Sequence, residues 1–131
     1  MRIIVIDSNI ESQQFFNGLG KKMNFSVSVF SKPAPALALL KNPKELTLIF
    51  IGNGENPLEQ SIAACQFVGP NIPIFVITED SDAPMVKKAF IQGIRGVVRK
   101  PLLRDAIADI LQEVEVIEYF RSHLRSLASQ K

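Results

Sequence analysis

"LTLIFIGNGENP", Leu46 to Pro57, decides the fold. From Leu46 to Ile51 every position but Thr47 is apolar, without the alternation of a strand that has one wet face. Such a run reads as a strand covered on both sides, the condition of a parallel sheet between helical layers. The polar turn that follows sits where α/β proteins keep their chemistry, beyond the carboxyl end of a strand. Here it opens with Gly52, Asn53 and Gly54, and no carboxylate.

Outward from this stretch, short β-branched runs alternate with segments of helical spacing. Arg2 to Ile6 is a first strand, apolar after Arg2, and Ser8 or Asn9 caps a helix over Ile10 to Lys22 that turns Phe15, Phe16 and Leu19 inward. Phe25 to Phe30 alternates and suits a sheet edge. Ser31 to Lys41 is read as helix, with Pro33 and Pro35 confined to its first turn. Leu58 to Val68 is a helix ended by Gly69-Pro70, Ile74 to Ile77 a fourth strand, and Pro84 to Gln92 a helix closed by Gly93. Val97 and Val98 form a short fifth strand before Lys100-Pro101, and helical sequence runs from Leu102 to about Leu127. This order predicts an α/β, flavodoxin-like (βα)5 fold: a doubly wound five-stranded parallel sheet, order 2-1-3-4-5, with an extended last helix.

The 131 residues suffice for one core, and Cys65, the only cysteine, reads as a small buried hydrophobe in a reducing compartment. No signal-peptide pattern or membrane-length apolar run is found, so the expected location is the cytoplasm with no membrane contact. A net charge of +2 with scattered Lys and Arg gives no basic stripe, and no direct nucleic-acid contact is expected.

The fold gathers the residues that follow its strands: Asp7 and Ser8, Asn53, Thr78 and Lys100. At these positions the chain resembles the receiver domains of two-component response regulators, over nearly its whole length. "IIVIDS" resembles the family's first strand, which ends in two acidic residues. "LIFIGNGENP" resembles the third, whose phosphate-accepting aspartate is followed four residues later by proline, so Pro57 assigns that position to Asn53. "IPIFVIT" matches the fourth strand with its terminal hydroxyl, Thr78, and "QGIRGVVRKPL" matches the segment that leads to the phosphate-pairing lysine, Lys100, and a proline expected to be cis, Pro101.

The departures are chemical. Ser8 stands at the second acidic position, Asn53 at the phosphoacceptor, Val97 at the aromatic switch position, Glu79 where a small residue is usual and Ser61 in place of a glycine. Acyl phosphate formation needs a carboxylate nucleophile, and an amide does not supply one. Mg2+ is a hard cation that relies on carboxylate charge, so with Asp7 alone its binding is expected to be weak or absent, and no other cofactor or metal is implied. A direct Asp7–Lys100 pair is expected to occupy the crevice. The resemblance with these losses implies a pseudo-receiver rather than an enzyme: a phosphorylation-independent regulatory domain of a response or transcription regulator, acting by protein contact. The alternative is a conventional receiver phosphorylated by a histidine kinase at a non-standard acid, of which Glu55 is the nearest. A small flavodoxin-like nucleotide enzyme would need a glycine-rich loop after the first strand, and "DSNIES" has none. Small-molecule sensing in the crevice stays open. Thr78 also fits a hydroxyl that satisfies a strand end, Asp7 a cap on the next helix, and His123 a solvated side chain.

Receiver domains usually end their last helix near Val114. Here Leu103, Ile107, Ile110, Val114, Ile117 and Leu124 repeat at spacings of four and three, interrupted at Arg121. The first half of this stripe suits the core, and the second suits a partner helix, so a homodimer through the last helix or contact with an output domain is expected. The domain proper is taken as 1–118, with 119–131 a helical extension or linker.

Overall fold

The computed structural model describes residues 1–54, 56–80 and 83–129. Strands β1 (Arg2–Ile6), β2 (Ser26–Phe30), β3 (Thr47–Gly52), β4 (Ile74–Thr78) and β5 (Gly96–Arg99) alternate with helices α1 (Ile10–Met23), α2 (Pro33–Ala36), α3 (Leu58–Val68), α4 (Pro84–Gln92) and α5 (Arg104–Ser129). All four strand pairings are parallel, and the order is β2-β1-β3-β4-β5. The expected topology is thus the observed one, with β2 at an edge.

Alternate residues of each central strand enter opposite cores, as the pleat demands. Ile4, Ile6, Ile49, Ile51 and Val76 meet Leu40, Ile62, Cys65 and Ala89 on one face. Ile3, Val5, Leu48, Phe50 and Ile77 meet Phe16, Leu19, Ile107, Leu111 and Val114 on the other. Phe50 joins Phe16 and Phe75 there, with ring centroids 4.9 and 5.3 Å away. Burial raises the Cys65 thiol from 9.0 to about 11, which keeps it protonated and inert at neutral pH, as its reading as a core residue implies.

Several boundaries differ from expectation for local reasons. The second helix is one α-turn followed by a 3₁₀ turn, Leu37–Leu40, because Pro33 and Pro35 bring no N–H to an α-helical ladder and Lys41 is already extended. Phe25 lies outside β2, since its N–H closes the end of α1 on Gly20 O at 3.0 Å. α5 starts at Arg104, and Leu103, placed by the spacing on the core stripe, is 61% exposed. Leu111 takes the core position instead, and the inward stripe is Ile107, Leu111 and Val114. Past Val114 the helix leaves Phe120, Leu124 and Leu127 exposed, while Ile117 and Arg121, one turn apart, border the same cavity.

Candidate functional site: the crevice beyond the strand ends

The ladder extends one step past each central strand and so sets the site backbone. The Asp7 N–H donates to Phe30 O at 2.9 Å, the Asn53 N–H to Ile77 O at 2.9 Å and the Lys100 N–H to Thr78 O at 2.8 Å. Asp7, Asn53, Thr78 and Lys100 thereby stand side by side across neighbouring strands, with Ser8 next to Asp7. The five positions singled out in the sequence converge.

Asp7 is 3% exposed. Its Oδ1 accepts the Asn9 N–H at 2.9 Å, while Oδ2 is buried with no hydrogen-bond partner. Asn9 in turn caps α1 by accepting the Ser12 N–H at 3.0 Å. The carboxylate lies against the Gly52 Cα: a Cβ there would fall within 2.5 Å of both carboxylate oxygens. Gly52 therefore admits Asp7 to its buried position, a role missed in the sequence although the residue sits in the Gly52-Asn53-Gly54 turn. Gln13 was missed too. Its side-chain amide donates to Asp7 O at 2.7 Å and to Ser31 Oγ at 3.2 Å, tying α1 to the crevice.

Asn53 donates through Nδ2 to Thr78 Oγ1 at 3.4 Å. That hydroxyl also accepts the Asp80 N–H at 3.2 Å and donates to Asp80 O at 3.3 Å, so Thr78 serves the strand-end role open to it. The expected Asp7–Lys100 pair is not made. Among the described residues the only ion pairs within 4.0 Å join Glu45 to the Met1 ammonium and to Arg2. Lys100 stays half-exposed beside a cavity of about 560 Å³ that also borders Asn9, Phe15, Glu79 and Leu102, where water solvates the ammonium more cheaply than a dry pocket would. The Lys100-Pro101 bond is cis, as expected. Val97 packs half-buried against the core. Glu55 lies outside the described residues.

The strand-end positions supply the Asp7 carboxylate, the Ser8 and Thr78 hydroxyls and the Asn53 amide as donors. Among the described residues no three His, Cys, Asp or Glu side chains form a metal-binding group. One orphan oxygen on Asp7 is a single anionic ligand, which does not fit the demand of Mg2+ for several hard donors in octahedral array. Asn53 carries no anionic oxygen with which to attack phosphorus.

No family model matches the chain, and no curated protein matches it. Solved structures do match its fold. A two-component response regulator from Clostridium difficile superposes with a TM-score of 0.76 at 17% identity, over 87% of this chain and 94% of that one. The receiver domain of a sensor histidine kinase from Pseudomonas aeruginosa, which holds a magnesium ion in its active-site cleft, gives 0.72 at 15% identity over 86% and 94%. Full-length FixJ from B. japonicum gives 0.72 at 19% identity, and here this chain covers 56% of the other. At these identities the likeness is one of fold: the chain has the receiver, CheY-like fold.

Proposed function

We propose that the chain is a receiver-like signalling module that works without phosphorylation, as the N-terminal regulatory domain of a response or transcription regulator. The observation that carries this reading is the hydrogen bond of Asn53 to Thr78, an amide at the strand end that we read as the phosphoacceptor position, beside the strand that ends in the buried Asp7. Asn53 and Ser8 are a degenerate acceptor and a vestigial acidic position, Thr78 and Lys100 former switch and phosphate-pairing positions, and Mg2+ binds weakly or not at all. Incubation of the protein with Mg2+ and acetyl phosphate is expected to leave its mass unchanged and its amide spectrum around Asn53 unshifted. A stable phosphoryl adduct on any acid, Glu55 included, would instead establish the conventional receiver.

Output passes by protein contact through the overhanging part of α5. Phe120, Leu124 and Leu127 are 58%, 63% and 48% exposed and repeat at spacings of four and three, the pattern of a helix-pairing seam. We assign residues 119–131 to this extension, which pairs with a second copy and leads toward an output domain. Gln130 and Lys131 lie outside the described residues. Leu124→Glu is expected to weaken the dimer by about tenfold or more in sedimentation equilibrium, because it buries a charge in the seam. A wild-type chain that stays monomeric at high micromolar concentration would remove the pairing. Among the described residues no helix is long and apolar enough to cross a membrane.

A further inference from the structure

Basic residues that are scattered along the chain converge at the end of the sheet opposite the crevice. There α5 overhangs the beginnings of β3, β4 and β5 and closes a cavity of about 480 Å³. Lys44 reaches it from the segment before β3, Arg95 from the α4–β5 turn, and Arg121 and Arg125 from successive turns of α5. All four are exposed, and none makes an ion pair within 4.0 Å among the described residues. Two carboxylates border the same space. Glu45 is engaged by the Met1 ammonium at 3.0 Å and Arg2 at 3.9 Å, which among the described residues leaves Glu118 as the one lining anion without an ion pair, against four cations.

Like charges at i and i+4 on a helix repel, so Arg121 and Arg125 facing one space beside two further cations is an arrangement that an anion would relieve. The remaining wall is mixed: Ile72, Pro73 and Ile117 give it an apolar floor, and Thr47 and Asn71 add polar groups beside it. Its frame is rigid, because the N–H groups of Ile49 and Arg95 bond to Pro73 O and Ile74 O at 3.0 and 2.8 Å, and Ile72 packs against Gly69, where a Cβ would fall 2.6 Å from its Cδ1.

We propose that this cavity binds a nucleoside diphosphate, its phosphates held by the guanidinium groups of Arg95, Arg121 and Arg125 and its less polar end laid on Ile72, Pro73 and Ile117. Guanidinium forks match phosphate oxygens bidentately, and the volume lies within the usual range for small-ligand sites of roughly 300–1,000 Å³. The site is separate from the crevice and does not depend on the fate of Asn53. It engages the helical segment that carries the seam, so ligand occupancy would hold that segment against the domain.

ADP and inorganic pyrophosphate, titrated into the full chain at low salt and followed by amide shifts and calorimetry, test this. ADP should bind saturably at one site, move the amides of Lys44–Thr47, Ile72, Arg95 and α5 beyond Val114, and leave Asn53 and Thr78 unmoved. Pyrophosphate should move the same amides at about tenfold weaker affinity, since it lacks the group that covers the apolar floor. Arg121→Glu with Arg125→Glu should weaken ADP by about tenfold or more, and Lys44→Gln with Arg95→Gln, on other elements, should also weaken it, with melting temperatures nearly unchanged because these side chains are exposed. Absence of saturable shifts, affinity unchanged in both variants, or pyrophosphate binding as tightly as ADP would overturn the proposal.

Discussion

Ser8→Asp combined with Asn53→Asp is expected to give a crevice that takes Mg2+ and accepts a phosphoryl group from acetyl phosphate. The two substitutions place carboxylates beside Asp7, on backbone that the Asp7 and Asn53 ladder bonds already hold at 2.9 Å. At about 4 Å and an effective dielectric near 20, each added unit of charge is worth about 4 kcal/mol per unit of opposite charge before desolvation is subtracted. Even a third of that, about 1.4 kcal/mol, is tenfold in affinity, so the pair should tighten Mg2+ by at least about a hundredfold. The readout is calorimetry with Mg2+, then intact mass after acetyl phosphate. The double variant should gain the mass of one phosphoryl group only when Mg2+ is present, and Asn53→Asp alone should respond more weakly. Failure of the double variant to bind Mg2+ would mean that the crevice has lost more than its charges. Freshly purified protein matters here, because Asn53 precedes glycine and deamidation would create the same aspartate slowly.

Gly52→Ala is expected to cost about 2–3 kcal/mol and to lower the melting temperature by roughly 7–11 °C. The added methyl would fall within 2.5 Å of both Asp7 carboxylate oxygens, and Asp7 has little room to move, since its Oδ1 is held by the Asn9 N–H and the side chain is buried. Asp7→Ala empties that space. The double variant Asp7→Ala with Gly52→Ala should therefore be more stable than the sum of the two single changes by about 1 kcal/mol or more, as a direct contact requires. Chemical denaturation of the four proteins measures this coupling. Strict additivity would show that Gly52 does not serve to seat Asp7.

The elements were legible where one physical cause acts within a few residues. The apolar run before Gly52, the cap at Asn9 and the Gly93 stop each declare a boundary locally, and the alternation of strands and helices declares a parallel sheet. The second helix was less legible, because Pro33 and Pro35 compete with a favourable Ala/Leu run and the balance is a 3₁₀ turn. On α5 the spacing rule put Leu103 in the core and left out Leu111, since periodicity gives a stripe but not the angle at which the helix meets the sheet. At the site, residue identities were readable, but contacts were not. That Lys100 and Asp7 follow strands at one edge of the sheet without pairing depends on side-chain direction and solvation.

By itself the sequence determined the doubly wound sheet, the five positions at its carboxyl edge and the presence of an amide rather than a carboxylate at residue 53, because each is a matter of residue type and local order. Only the tertiary structure decided that Gly52 seats a buried Asp7 and that Lys44, Arg95, Arg121 and Arg125 surround one cavity. Those relations join residues far apart in the chain, and their energies arise from close approach and shared solvent, which no local pattern encodes.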